Sequence, residues 1–129
     1  MSQGVDPQGS SGEDTPPQPD ETEETVYRAH RDPTAPVGNQ IEVAVDGEPM
    51  DYRYDLLSAS PSGFEWGYGG SGPAQLSVAL LAHALNDEVA VTYYQQFKRE
   101  VVSQLPERGW ELTADDVRRW HAEVTGNAR

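Results

Sequence analysis

The feature that most constrains the fold is a segment, residues 73–85, that is apolar on nearly every side. Pro73 opens it, and the missing N–H of a proline costs no hydrogen bond in a first helical turn. A helix that is apolar all round is stable only where other elements cover it. The sequence therefore predicts a buried central helix. Its apolar residues are Leu76, Val78, Ala79, Leu80, Leu81, Ala82 and Leu85.

Two further helices are predicted after the central one. Asp87 is expected to cap the second helix, since its carboxylate can accept a backbone N–H. Apolar residues then recur at helical spacing, so this helix is amphipathic and ends before Pro106. Residues 109–112 are expected to form a turn or a short extended piece. Thr113 to Asp116 matches a variant of the capping box that starts a last helix, and Gly126 ends it.

The part of the chain before the central helix predicts strands. Residues 25–31 favour a first strand, and the alternation of residues 41–45 indicates a half-buried second one. Asp46-Gly47 is a pair favoured in two-residue hairpin turns, where both positions need positive φ. Pro49 cannot donate to a ladder, so the return strand lies at an edge or starts late. We expect its alternating face to continue through Tyr52, Tyr54 and Leu56.

Strands followed by helices predict an α+β fold rather than an alternating α/β fold. We expect a small antiparallel sheet of about three strands, packed against a helical hairpin and a C-terminal helix, in a single domain over residues 25–129. Residues 1–24 hold seven acids, no Lys or Arg and no aromatic residue. Such a segment cannot bury enough apolar surface to order itself, so a disordered acidic tail is predicted.

The acidic excess extends beyond this tail. The net charge is −13, and residues 25–129 carry 15 acids against 9 bases, of which only Lys98 is a lysine. Carboxylates hold water and cations at high salt, where their mutual repulsion is screened. This composition predicts a halophilic protein; an ordinary acidic protein from a GC-rich bacterium is the alternative.

Composition also excludes several function classes. The chain has no cysteine, which excludes disulfides, zinc–thiolate sites and thiol nucleophiles. The three histidines lack metal-ligand spacing, so we expect no metal site and no cofactor. There is no signal-type apolar core and no apolar run of about 18 residues, so a soluble cytoplasmic protein without a membrane partner is expected. The acidic balance argues against general nucleic-acid binding.

A glycine-rich loop at residues 67–72 precedes the central helix and fits G-x-G-x-x-G. A dinucleotide fingerprint needs a second strand after the helix, and a P-loop needs a lysine; neither is present. Bare N–H groups at a helix start can still bind a phosphate or a peptide carboxylate. The alternative is purely structural, because glycine permits a tight path beside a packed helix.

Aromatic and basic residues surround this loop. Phe64, Trp66 and Tyr68 alternate as they would on one face of a strand, with Phe64 and Trp66 expected in the core and Tyr68 exposed as a contact. Arg28 and His30 share one face of the first strand, whereas Tyr27 and Arg31 lie on or near the other. One hypothesis is that Arg28, His30 and the glycine loop converge on one anion. The alternative is that these cations pair with nearby acids.

The family known as domain of unknown function 6166 is resembled by the segment Ser60-Pro61-Ser62-Gly63-Phe64-Glu65-Trp66-Gly67-Tyr68-Gly69-Gly70-Ser71-Gly72-Pro73-Ala74-Gln75-Leu76. The likeness extends over about residues 26–116. It includes Tyr27-Arg28-x-His30-Arg31, the hairpin from Val45 to Pro49, and Gly109-Trp110-x-Leu112-Thr113. It implies a halophilic or mobile-element context and no particular activity.

The leading hypothesis is a non-catalytic interaction domain that contacts a partner, expected to be a protein, through the glycine loop and its aromatic residues. It requires that the loop amides point outward. The first alternative is a small-anion or nucleotide-phosphate binding protein, or an enzyme, that uses the same amides. A weaker alternative is an acidic mimic of nucleic acid. The predicted contact residues are Arg28, His30, Glu65, Trp66, Tyr68, Gly69, Gly70, Ser71 and Gly72.

Overall fold

A computed structural model describes residues 24–126 and confirms the α+β class. The strands form one antiparallel sheet in the order β3-β2-β1-β4, one strand more than predicted. Of the predicted acidic tail, only Glu24 lies within the described residues. The elements are β1 (Val26–Arg31), β2 (Ile41–Val45), β3 (Glu48–Pro49), α1 (Ser71–Ala84), α2 (Asp87–Glu100), a 3₁₀ turn (Val102–Gln104), β4 (Gly109–Thr113) and α3 (Ala114–Val124).

The β2–β3 hairpin forms at the predicted turn. Asp46 and Gly47 both have positive φ, 50° and 86°, and β3 lies at the edge of the sheet. The expectation that β3 continues past Pro49 through Tyr52, Tyr54 and Leu56 is wrong. Arg53 adopts a φ of 60°, and its amide donates to the carboxylate of Asp51, which turns the chain out of the sheet.

The extra strand, β4, pairs antiparallel with β1 and places Gly109 opposite His30. A Cβ at Gly109 would lie 2.6 Å from the carbonyl oxygen of Ala29. The close approach of the two backbones therefore requires glycine at this position. The short extended piece predicted from the sequence is thus a ladder strand.

Helix α1 is the buried centre of the molecule, as predicted, with residues 72–82 all buried. The cap of α2 is Asn86, whose side chain accepts from the Val89 amide at 2.8 Å, so the prediction of Asp87 is one residue late. The capping box before α3 is confirmed, because Thr113 and Asp116 each accept the other's backbone N–H at 3.0 Å.

A long connecting segment, residues 50–70, links β3 to α1 without regular structure. Its first half is held by Gln75, a fully buried residue of α1. The Gln75 carbonyl accepts the amides of Ala59 and Ser60, at 2.7 and 3.0 Å. The Gln75 amide group donates to the carbonyls of Tyr52 and Leu57, at 2.8 and 2.9 Å. One side chain thus replaces the backbone partners that a sheet would have supplied.

Candidate functional site

The aromatic residues of the connecting segment divide between core and surface as predicted. Phe64 and Trp66 are buried, whereas Tyr68 is 51% exposed. They do not lie on a strand, because the chain bends through this region and Gly67 has a φ of 88°. The alternation of these aromatic residues along the sequence therefore belongs to a bent segment and not to a strand.

Arg31, at the end of β1, fixes the second half of the connecting segment. Its Nη1 and Nη2 donate to the two carboxylate oxygens of Glu65, at 3.1 and 2.9 Å, and its Nε donates to the carbonyl of Glu107. The guanidinium also lies 4.6 Å from the centroid of the Trp66 ring. The hydrogen bond to Glu65 raises the pKa of Arg31, so the group stays charged. We call this arrangement the Arg31 clamp.

Trp66 and Gly67 add further attachments to the segment after α2. The Trp66 indole N–H lies 2.9 Å from the Pro106 carbonyl and 3.0 Å from that of Glu107. The Gly67 amide donates to the carbonyl of Val102 at 3.0 Å. The chain on the N-terminal side of Tyr68 is thereby held at several points.

The Tyr68 ring lies against the backbone of Gly70. A Cβ at Gly70 would be 2.7 Å from Tyr68 Cε2, closer than any real contact. Gly70 has an extended backbone that any residue adopts, with a φ of −166°, so the requirement for glycine here is steric. Gly70 therefore leaves room for the ring in its observed position.

Gly70 is also the N-cap of α1 and has no side chain with which to cap it. In the described part of the chain, no acceptor is bonded to the amides of residues 68–72. Gly69 and Ser71 are exposed, whereas Gly72 is buried. The unpaired amides of the exposed residues Tyr68, Gly69 and Ser71 are therefore available to an external acceptor.

A cleft of about 460 Å³ opens beside Tyr68. We call it the Tyr68 cleft. It holds one cation and two carboxylates, and the cation is already paired with Glu65. The cleft is therefore poorly suited to an anion. Its lining residues are Arg31, Glu65, Trp66, Gly67, Tyr68, Leu105 and Glu107.

The predicted convergence of Arg28 and His30 on the glycine loop is wrong. Both are exposed on the outer face of the sheet, whereas Tyr27 and Ala29, the residues that alternate with them, are buried on the inner face. Arg28 Nε is 2.9 Å from Glu111, and His30 Nε2 is 3.2 Å from Glu42. The structure therefore agrees with the alternative prediction, in which Arg28 and His30 pair with nearby acidic residues.

The prediction chose Arg28 and His30 as the cations near the glycine loop, whereas the structure places Arg31 there. Arg31 is the cation that reaches Glu65 and Trp66, and the alternation from buried Tyr27 through Ala29 could have placed it on the inner face. Leu105 and Glu107 also line the cleft, and no sequence pattern marked them. Their position depends on how the chain after α2 returns to β4.

Two further findings concern residues 24–126. No group of three or more His, Asp or Glu side chains in this range is placed to hold a metal ion. None of its helices is long and apolar enough to cross a membrane.

Comparison with known proteins identifies a family. The sequence model of a family of unknown function, DUF6166, matches residues 27–123, from β1 almost to the end of α3. No curated protein and no solved structure matches the chain. The match covers every residue that lines the Tyr68 cleft.

Proposed function

We propose that this chain, which belongs to the family of unknown function DUF6166, is a non-catalytic interaction domain that binds a partner protein at the Tyr68 cleft. The observation that carries this proposal is an exposed tyrosine on a loop whose neighbours are fixed. Tyr68 is 51% exposed, yet Trp66 and Gly67, just before it, are both bonded to the segment after α2.

Rigid presentation favours binding because little side-chain or loop entropy is lost on association. Tyrosine offers a large apolar ring together with a hydroxyl group, and it is enriched among the residues that dominate binding energies. The Arg31 clamp fixes the chain just before Tyr68, and the missing Cβ of Gly70 leaves room for the ring in its observed position.

The chemistry around Tyr68 indicates what a partner must offer. The free amides of the exposed residues Tyr68, Gly69 and Ser71 can pair with acceptors such as the carbonyl groups of a polypeptide. The exposed carboxylate of Glu107, on the other side of the cleft, favours a donor or a cation. A polypeptide surface supplies both kinds of group.

The anion-binding alternative has less support. It keeps the amides near Gly70, but Arg28 and His30 lie on the opposite face of the sheet. The nearest cation, Arg31, is neutralised by Glu65. A phosphate would have to displace a carboxylate from a bidentate pair and then face Glu107.

The test uses three variants in a quantitative pull-down from extracts of the source organism. Tyr68→Ala should reduce partner recovery at least tenfold, as expected for a central aromatic contact. Gly70→Ala should also reduce it, because the added Cβ displaces the Tyr68 ring. Gly69→Ala is the matched control, since its Cβ meets nothing within 4 Å, and it should retain the partner.

Circular dichroism and thermal unfolding establish that the variants fold. A folded Tyr68→Ala protein that recovers every partner at the wild-type level would refute the proposal.

A further inference from the structure

Strand β3 is so short that it leaves the edge of β2 partly open. Its ladder reaches only Ala44 and Val45, and one more bond runs from the Met50 amide to the Val43 carbonyl. Beyond Met50 the chain leaves the sheet, so within the described residues no strand pairs with the first residues of β2 on this side.

The backbone N–H and C=O groups of successive β2 residues point alternately toward β1 and toward the opposite edge. The Asp46 amide bonds to Val26, and the Gln40 carbonyl accepts from Asp32, so even-numbered residues around β2 point toward β1. The N–H and C=O of Ile41 therefore point to the open edge. In the described part of the chain, neither group has a hydrogen-bond partner.

A groove of about 390 Å³ lies next to this edge, and its lining combines apolar side chains with the polar residues Gln40, Glu42 and Ser62. Val43, Met50 and Phe64 form its buried lining, and Tyr52, which is 44% exposed, stands at its rim. Ile41 lines the groove as well.

We propose that this edge and groove bind an extended segment of another protein, which adds a strand beside β2. A residue paired with Ile41 would make two backbone hydrogen bonds. Its side chain would share the face of Ile41 and enter the groove, in the manner of β-strand addition.

Charge complementarity selects the kind of segment. One neighbour of the apolar anchor residue would lie opposite Glu42, an exposed carboxylate that also lies 3.2 Å from His30 Nε2, and the other would lie opposite the uncharged Gln40. Among residues 24–126, no basic side chain lines the groove. An incoming strand that places arginine or lysine opposite Glu42, next to one apolar residue, therefore fits best.

The same argument disfavours two occupants from this chain. A second copy would bring its own Glu42 to the interface. Residues 1–24 carry seven acids and no Lys or Arg. Either occupant would add carboxylates near Glu42 and would leave Glu42 without a cation opposite it.

This site is independent of the Tyr68 cleft. The two cavities share no lining residue, and the connecting segment contributes Phe64 to one and Trp66 to the other. A negative result for partner binding at the Tyr68 cleft would therefore not refute peptide binding at the β2 edge, and the reverse also holds.

The experiment measures the fluorescence anisotropy of a labelled octapeptide of alternating valine and arginine, titrated with the full chain. Glu42→Lys should weaken binding at least tenfold. Glu88→Lys is the matched control, because it changes the net charge equally at an exposed position on α2 and should change binding less than twofold. An octapeptide with glutamate in place of arginine should not bind.

A second measurement locates the bound peptide. Hydrogen exchange of the Ile41 amide, followed by NMR, should slow at least tenfold in the complex. Equal effects of Glu42→Lys and Glu88→Lys, absence of binding, or an unprotected Ile41 amide would each overturn the proposal. Protection of Ile41 without peptide, together with a dimer in sedimentation, would assign the edge to a second copy instead.

Discussion

The two halves of the connecting segment are held by different chemistry. Residues 52–60 are tied to Gln75, a neutral amide with 0% exposure that makes four hydrogen bonds to backbone groups. Residues 65–67 are tied by the Arg31 clamp, whose side chains remain 21% and 30% exposed at Arg31 and Glu65. Neither half has regular structure, so in each a side chain from a helix or strand supplies the missing partners.

The two attachments differ in how deeply each can be buried at a low cost in free energy. A neutral amide can be fully buried if every one of its groups is bonded, and salt does not screen it. A charged pair loses more hydration on burial, so it is better placed near solvent. The ionic half is also the half that presents Tyr68, so we expect the candidate contact surface to depend on the weaker of the two attachments.

The largest expected effect comes from removing the neutral attachment. Gln75→Leu keeps the approximate volume but leaves four backbone groups without their partners. At about 1–3 kcal/mol for each unsatisfied buried group, and with partial rescue by water, we expect a loss of about 4 kcal/mol in the free energy of unfolding. Urea denaturation measures it. Gln95→Leu, an exposed position on α2, is the control and should change stability by less than about 0.5 kcal/mol.

An unchanged urea midpoint for Gln75→Leu would mean that the first half of the segment holds itself in place. The claim that each half of the connecting segment depends on one side chain would then be wrong.

A smaller effect is expected from the ionic attachment. Arg31→Met removes the bonds to Glu65 and to the Glu107 carbonyl, and we expect a loss of about 1–3 kcal/mol. The control is Arg28→Met on the opposite face of the same strand, where the pair with Glu111 is 65% and 54% exposed. It should cost about 0–1 kcal/mol. Equal losses in the two variants would remove the distinction between a clamp and a surface pair.

The dependence of stability on alkaline pH distinguishes the contribution of Tyr27, a buried residue of β1, from that of the Arg31 clamp. Burial raises the pKa of Tyr27 to about 12, while the pKa of Arg31 is raised by Glu65. Between pH 10 and 12 the unfolded chain loses the tyrosine proton and the folded chain keeps it. Stability should therefore be fully present below pH 10 and fall as pH rises to 12, by at most about 1.4 kcal/mol per pH unit.

Tyr27→Phe should abolish most of this slope, whereas Arg31→Met should leave it unchanged. Thermal unfolding at several pH values checks both, and a slope that survives in Tyr27→Phe would assign the loss to another group.

The smallest expected effect is that of salt on the two ion pairs. In double-mutant cycles, the coupling energy of Arg28 with Glu111 should fall from at most about 0.5 kcal/mol to near zero in 1 M KCl. The coupling of Arg31 with Glu65 should keep most of its value, because the pair is partly buried and bidentate. If both couplings vanish together, the clamp is no more than a surface contact.

Much of the local structure could be predicted because it depends on neighbouring residues. The apolar run gives α1, Asp46-Gly47 gives the hairpin turn, and Thr113 with Asp116 gives the start of α3. The burial of Phe64 and Trp66 and the exposure of Tyr68 also agree with the predictions. The halophilic, cytoplasmic and disordered-tail assignments stay predictions.

The candidate site was predicted only in part, because its residues are far apart in sequence. The glycine loop and its aromatic residues were found. The cation was assigned to the wrong face of β1, since the burial of Tyr27 and Ala29 decides which residues face the helices.

The sequence by itself determined the α+β class, the central helix and the position of the exposed tyrosine, because propensity, apolar periodicity and turn chemistry act over a few residues. Only the tertiary structure decided that β4 pairs with β1, that β3 stops after Pro49, and that Arg31 reaches Glu65 across 34 residues. Those outcomes depend on which distant groups can satisfy one another once α1 is enclosed, and no local pattern encodes that choice.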